Sequence, residues 1–359
     1  MNTFGKNIKI SLFGESHGNY IGIIIDGLPS GITLNENLIK YNLKKRHSNK
    51  QISTNRNEKD EYEIVSGYFN NFTTGAPLTF LIKNNDVNST SYEPGIIRPN
   101  HSDYPAFIKY NGFNDYRGGG YFSGRITALL IIIGSICEQL LNEKNIKVYS
   151  HLSQVLDIKD KDCNDFEKIS AIKGFNESSF MIDKEKQNSV ELLIQETKDN
   201  NDSLPSKIET LIEGLPTGIG EPFFDSFESF LSHLLFSIPA VKSIAFGDED
   251  LILKTGSNQT DEICFNNDKI EFSSNHQGGI LGGISSGNIV KFNTTFKAPS
   301  STMMPKKSIN IITKENICVK TSGRHDPIIG IRAIPVINAV TYYAVYDLMI
   351  DRLKYENIR

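Results

Sequence analysis

With 359 residues and 38% hydrophobic content, the chain can bury a substantial core as one large domain or two ordinary ones. A net charge of −4 gives no global positive field for nucleic acid, so any anion site must come from local basic clusters. Cys137, Cys163, Cys264 and Cys318 form no CxxC pair and no zinc-like spacing, the N-terminus MNTFGKNIKISLFGESHG has no signal-like apolar core, and no later run is read as a span of about 18 apolar residues; a reduced, cytoplasmic protein without structural metal or membrane segment is expected.

Ile8 to Phe13 and Ile21 to Ile25 predict short strands flanking GESHG, which would display His17 in a tight connection. Asn35 is placed to cap a helix reaching about Lys45, with Leu38, Ile39 and Leu43 on one face and Lys44, Lys45 and Arg46 at its end. Tyr62 to Ser66 and Leu78 to Ile82 read as strands. Ser123 predicts the cap of a long apolar helix from Gly124 to about Asn142, buried on most sides. Residues 159–205 are polar and charge-rich and read as a surface excursion carrying no chemistry. Ile208, Thr210 and Ile212 alternate as a strand. Phe227, Leu231, Leu234 and Leu235 mark an amphipathic helix before Ile238 and Pro239. IVKFNTTFK reads as a strand, and a last helix is expected from about Val336 to Leu353. No fixed-period repeat and no linker is visible, so 1–359 is read as a single mixed domain.

Chemistry concentrates in the loops. DYRGGGYFSGR, from Asp115 to Arg125, sets three glycines before a helix, where backbone NH groups can approach an anion; a simple turn is the alternative. It is neither GxGxxG nor a Walker loop, which argues against a phosphotransferase. The glycines from Gly278 to Gly287 suit close backbone packing as well as a ligand cradle. After them, Lys297, Ala298, Pro299, Ser300 and Ser301 place an ammonium and two hydroxyls within one turn, suited to a phosphate or a flavin phosphate tail. His17 lies beside Glu15 and Ser16. His101 lies between Arg98 and Asp103, where a carboxylate can hold it protonated. Arg324, His325 and Asp326 put a cation, a proton-transfer group and a carboxylate on consecutive residues. His47, His151 and His233 lack such context and are read as structural.

In order, GESHG, RPNHSDY with KYNGFNDYRGGG, SNHQGGILGGISSGN, FKAPSS and GRHDPIIGIRAIPV resemble the signatures of the chorismate synthase family, from Phe4 to about Leu353. The resemblance implies an α+β fold with a β-α-β sandwich core. It implies a lyase that converts 5-enolpyruvylshikimate 3-phosphate to chorismate and phosphate by trans-1,4 elimination, the last common step of the shikimate pathway. Reduced FMN is then required but not consumed, with NADPH or a separate flavin reductase as candidate reductants, and the assembly is expected to be a homotetramer. On this resemblance His101 protonates the reduced flavin, His17 supplies a proton to the leaving phosphate, and Asp326 assists deprotonation, while His325 becomes an orienting residue. FMN contacts carry over to Tyr121, Phe122, Ser123, Pro239, Ala240, Gly282, Lys297 through Ser301, and Arg324. Substrate anions would meet Ser16, Lys45, Arg46, Arg125 and Arg332.

Two departures from the family's text stand out. Lys44, Lys45, Arg46, His47, Ser48 and Gln51 occupy a segment usually richer in arginine, so a bidentate fork and a charge are lost, with Lys50 adjacent to compensate. Tyr121 and Phe122 replace a common Arg-Ser pair. The alternative reading is a non-catalytic flavin- or phosphate-binding homologue, against which the joint presence of His17, His101 and Asp326 argues.

Overall fold

In the strand Tyr20–Asp26, Ile21, Ile23 and Ile25 are buried while Ile24 points to solvent, the period-2 alternation of a sheet with one covered face. This computed structural model describes residues 2–46, 60–85, 89, 92–320 and 326–356. The first sheet is antiparallel and runs Thr3–Phe4, Lys9–Gly14, Tyr20–Asp26, Leu78–Lys83 and Tyr62–Ser66 across its width. A second antiparallel sheet runs Val241–Phe246, Val290–Phe296, Ser206–Glu213, Lys147–Val155 and Ile158–Lys159.

Among the described residues are seven α-helices, α1 (Glu36–Lys45), α2 (Asp103–Lys109), α3 (Thr127–Asn142), α4 (Asp165–Lys173), α5 (Lys184–Asp199), α6 (Phe227–Ser237) and α7 (Gly330–Glu356), beside short hairpins and 3-10 turns. Helices α3 and α7 lie against each other between the sheets, α3 touching the first and α7 the second. This is the expected sheet–helix–sheet α+β arrangement. The two helices approach closely because Gly134 has no side chain: a Cβ there would collide with Ala339. Leu129, Ile131, Ile132 and Cys137 of α3 and Ile337, Tyr343 and Val345 of α7 are fully enclosed. Each such Leu or Ile contributes on the order of 1.5–3 kcal/mol. The N-terminal loop is fastened to this core by Asp347, whose carboxylate accepts from the backbone NH groups of Lys6, Asn7 and Ile8 at 3.0, 2.9 and 2.5 Å.

Asn35 caps α1 as expected, its side chain accepting from Leu38 N at 3.0 Å. Three expectations change. First, Gly124–Asn142 and Gly330–Leu353 are each long and apolar enough to cross a bilayer, against the sequence reading. They are the central helix pair, and 78% and 72% of their most apolar windows are buried inside the protein. Second, Ser123 caps a short 3-10 turn, Gly124–Ile126, that precedes α3. Third, α7 begins six residues before Val336, with Pro335 inside it, so Arg332 rides on its first turn. A proline removes only one hydrogen bond so near a helix start.

The polar segment 159–205 contains α4 and α5, capped by the side chains of Asn164 and Asp183. It is stapled to the outer face of the second sheet. Ile169 of α4 packs with Leu211 and Ile289. Below it, His151 places Nδ1 2.7 Å from Asp160 and Nε2 2.9 Å from Glu209, while Lys168 meets Glu209 at 2.9 Å. Asp160 also accepts from Ile182 N and Asp183 N at 2.8 and 2.9 Å. His151 is thus structural, as expected.

Candidate active site

The three glycines after Arg117 bring the two upstream histidine loops together. Gly118, Gly119 and Gly120 all have left-handed backbone, φ 58°, 87° and 54°, which side chains other than glycine seldom adopt. A Cβ on Gly118 would strike the ring of His17, and one on Gly119 would stand 3.4 Å from Nε2 of His101. The loop therefore serves as a floor under both imidazoles. Asp115 fixes its start, accepting from Arg117 N at 3.0 Å and from its guanidinium at 2.9 Å. Burial opposes the Asp115 charge, but these bonds hold its carboxyl below the usual range.

Ser16 is turned onto the same loop: its N donates to Gly120 O at 3.2 Å and its hydroxyl to Gly118 O at 3.2 Å. His17 is buried, with Nδ1 2.9 Å from Ser89 Oγ and its ring edge-on to Tyr92 at 5.3 Å. His101 places Nδ1 2.7 Å from Asp103 Oδ1. A carboxylate only accepts, so Nδ1 carries the proton and Nε2 faces the glycine loop. Arg98 grips the same carboxylate at 2.7 and 2.8 Å. Burial works against the Asp103 charge, yet Arg98 and His101 outweigh it and hold the carboxyl far below the ordinary range.

The arginines form a second, connected group. Arg46 at the end of α1 lies 3.5 Å from Asp60, Arg125 pairs with the other oxygen of that carboxylate, and Arg332 pairs with Asp326. Arg332 Nε also donates to Arg46 O at 3.0 Å. Arg125 Nε donates to Asn84 Oδ1 at 3.0 Å, and Asn84 Nδ2 donates to Glu15 O and Gly18 O at 3.0 and 2.8 Å. A continuous polar path therefore leads from Asp326 to the His17 loop. Lys45 is not part of it: its ammonium sits 4.3 Å above the ring of Tyr41, on the exposed side of α1.

A third group gathers beside His101. Lys297 Nζ donates to Ser300 Oγ at 2.9 Å and to Asn100 O, and Ser300 Oγ donates to Asn100 O at 2.7 Å. Lys297 N donates to Ala240 O at 3.0 Å, which joins the Pro239–Ala240 turn; Ala240 has φ 75°. Burial and the neighbouring Lys242 together lower the Lys297 ammonium pKa. No carboxylate pairs with Lys297 among the described residues, so the loop is short of negative charge. Thr302, buried next to it, has a hydroxyl with no hydrogen-bond partner among the described residues. The residues present therefore fit an anionic, hydrogen-bonding group such as a flavin phosphate tail.

The 159–205 segment, read from the sequence as a surface excursion carrying no chemistry, braces this region at its end. Ser203 Oγ donates to Pro299 O at 2.8 Å, and Leu204 N donates to Pro327 O at 2.7 Å. Tyr121 reaches back to Leu12 O at 3.3 Å, and burial raises its phenol pKa. Phe122 lies tilted 6.5 Å from Tyr110, and Ser123 Oγ accepts from Arg125 N at 3.2 Å. Ala298 and Ser301 lie in the same partly buried turn.

Gly282 stands apart. It occupies the hairpin turn between Ile280–Leu281 and Ile284–Ser285, and a Cβ there would meet open space. The other glycines of that cluster are packing glycines: Gly278 lies against Gly247, Gly279 against Ile289 and Gly283 against Ser226. Arg324, His325, His47, Ser48, Lys50 and Gln51 lie outside the described residues. Asp60, Asn84 and Thr302 carry no such signal in the sequence, where each is a lone polar residue without motif or period, and Asn100 lies in RPNHSDY without being distinguished from its neighbours.

A sequence model described as chorismate synthase matches residues 8–350. Proteins named chorismate synthase from Dehalococcoides mccartyi and Chitinophaga pinensis are each 38% identical to the chain, covering 97% and 98% of it and 96% and 97% of themselves. One from Korarchaeum cryptofilum is 33% identical, with 96% of both chains covered. A crystal structure of chorismate synthase superposes with a TM-score of 0.77 at 23% identity, over 98% of this chain and 94% of the other, which supports the fold.

Proposed function

The chain belongs to the chorismate synthase family, lyases that convert 5-enolpyruvylshikimate 3-phosphate to chorismate and phosphate, and on that premise we propose how its own residues carry the reaction. The observation that carries the proposal is the glycine loop lying against His17 and His101 together, with Asp326 joined to the same region through the arginines.

His17, enclosed between Ser89, Tyr92 and Gly118, is the general acid that gives a proton to the departing phosphate. His101 is held by Asp103 with Nδ1 protonated, and Nε2 is the atom that takes and releases a proton on the cofactor side. Asp326 provides the carboxylate that assists removal of the ring proton. Its pairing with Arg332 orients it. Arg46, Arg125 and Arg332, with Ser16 flanking, receive the phosphate and carboxylates of the substrate; guanidinium forks suit both groups. General acid and base steps of this kind contribute roughly 10²- to 10⁴-fold each.

Lys297 through Ser301, Pro239–Ala240, Tyr121, Phe122, Ser123 and Arg324 are the residues that would hold FMN, the ammonium of Lys297 meeting its phosphate. Reduced FMN supplies, when bound, an electron-rich ring that eases loss of phosphate in the trans-1,4 elimination. NADPH or a separate reductase keeps it reduced. Exposed Phe223, Phe224, Ile252 and Leu253 support assembly into an oligomer, which the family resemblance makes a homotetramer. Four free cysteines support a reducing, cytoplasmic location.

The test is anaerobic incubation with chemically reduced FMN and 5-enolpyruvylshikimate 3-phosphate. Chorismate and phosphate should appear in equal amounts without net flavin oxidation. Absence of product would sink the catalytic reading in favour of a non-catalytic flavin- or phosphate-binding homologue.

A further inference from the structure

We propose that Asp60 and Asn84 are positioning residues for the reaction: Asp60 sets the separation of Arg46 and Arg125, and Asn84 couples Arg125 to the loop carrying His17. The proposal rests on the roles given above to those arginines and to His17.

Asp60 places one carboxylate oxygen on each guanidinium, and the side chains of Asp60, Arg46 and Arg125 are only 1%, 9% and 2% exposed. A carboxylate clamped between two forks, with water excluded, fixes both cations in one geometry before a substrate anion arrives. Asn84 commits its whole side-chain amide to the same task. Its Oδ1 accepts from Arg125 Nε at 3.0 Å, and its Nδ2 donates to the carbonyls of Glu15 and Gly18, which bracket Ser16 and His17. Its backbone N donates to Asn19 O at 3.1 Å, closing the loop from the other side. A displacement of Arg125 is thus transmitted to the His17 loop through one rigid planar group. Aspartate at this position would keep the acceptor for Arg125 and lose both donors to the loop.

The sign of one measurement separates positioning from simple charge neutralisation. A counter-ion that only neutralised the arginines would oppose an anionic substrate, so removing its charge would lower KM. A positioning carboxylate gives the opposite sign.

The experiment is steady-state kinetics of the full chain with chemically reduced FMN and 5-enolpyruvylshikimate 3-phosphate, with thermal unfolding of each variant. Asp60→Asn is expected to raise KM about tenfold, with Asp60→Glu recovering part of the loss. Asn84→Asp is expected to lower kcat about 10²-fold, the cost of a misplaced proton donor, with KM raised far less by the charge it adds beside Arg125. A KM at or below wild type in Asp60→Asn removes Asp60 from the assignment, and a wild-type kcat in Asn84→Asp removes Asn84. If Asp60→Asn does not fold, Asp60→Glu decides, since wild-type KM in that variant overturns the clamp. Wild-type constants in His17→Ala and Arg125→Lys overturn the site reading and this proposal with it. Losses there beside wild-type constants in the Asp60 and Asn84 variants overturn this proposal alone.

Discussion

The Nδ1 atom of His101 lies 2.7 Å from Oδ1 of Asp103, so the imidazole turns its other nitrogen towards Gly119. Orientation of this kind is worth testing without disturbing volume. Asp103→Asn exchanges one acceptor oxygen for an NH2 donor, so the side chain no longer dictates the tautomer, and kcat should fall by about 10²- to 10⁴-fold. An unchanged kcat would show that Asp103 serves only Arg98.

His17→Ala and His101→Ala should each lower kcat by roughly 10²- to 10⁴-fold while the unfolding midpoint stays near wild type. Rapid-quench measurement of phosphate release assigns the roles. His17→Ala should slow phosphate formation itself, and a normal rate there would remove it as the acid for the leaving group.

Gly118→Ala places a methyl group into the His17 ring at a backbone φ of 58°. We expect a stability loss of about 1–3 kcal/mol from the strained backbone and a fall in kcat of about 10²-fold from the displaced imidazole. Gly256→Ala, where a Cβ meets open space, is the matched control and should leave both quantities alone. Equal behaviour of the two variants would contradict the floor assigned to the glycine loop.

The buried His151 gives a pH dependence of stability with a definite sign. Burial disfavours its charge, but Asp160 and Glu209 more than compensate and raise its pKa, while Glu209 is drawn down to about 2. A group whose folded pKa exceeds its unfolded value stabilises fully below the unfolded value, about 6.5 for His, and loses that contribution as pH rises through the folded pKa. Denaturant unfolding should therefore show stability falling on the alkaline side of about pH 6.5. In His151→Leu that slope should vanish, together with about 3–5 kcal/mol of stability from the stranded carboxylates. A slope that survives the substitution would place its origin elsewhere.

Thr302→Val replaces a buried hydroxyl that has no partner among the described residues. Stability of the flavin-free protein should hold or rise, because a buried unsatisfied group is removed. FMN binding, followed by fluorescence, should weaken about tenfold if the hydroxyl is one of its contacts. Lys297→Gln should weaken FMN binding by at least as much. Unaltered affinity in both variants would move the cofactor away from this turn.

What the sequence disclosed depended on whether a contact was local. Asn35 could be read as a cap because its target, Leu38 N, lies three residues away. The strands around GESHG could be read from the alternation of Ile21, Ile23 and Ile25. Asp60 could not be read, because its importance comes from Arg125, 65 residues further on, and nothing in its own neighbourhood announces a buried ion pair. Asn84 was hidden for the same reason. His151 offered a weak signal: Val148, Ser150 and Leu152 alternate on one face of its strand, placing His151 on the other. α7 starts ahead of Pro335, six residues before Val336, because packing of the apolar helix outweighs the one hydrogen bond that proline removes.

The bond from Arg332 Nε to the carbonyl of Arg46 joins residues 286 apart, and that from Ser300 to Asn100 joins residues 200 apart. Closing such long loops is slow, and Arg332 must have left the ribosome before the arginine group can assemble. No nascent fragment ending before α7 can therefore possess the assembled arginine group. Catalytic competence should arrive abruptly, as α7 docks between the two sheets.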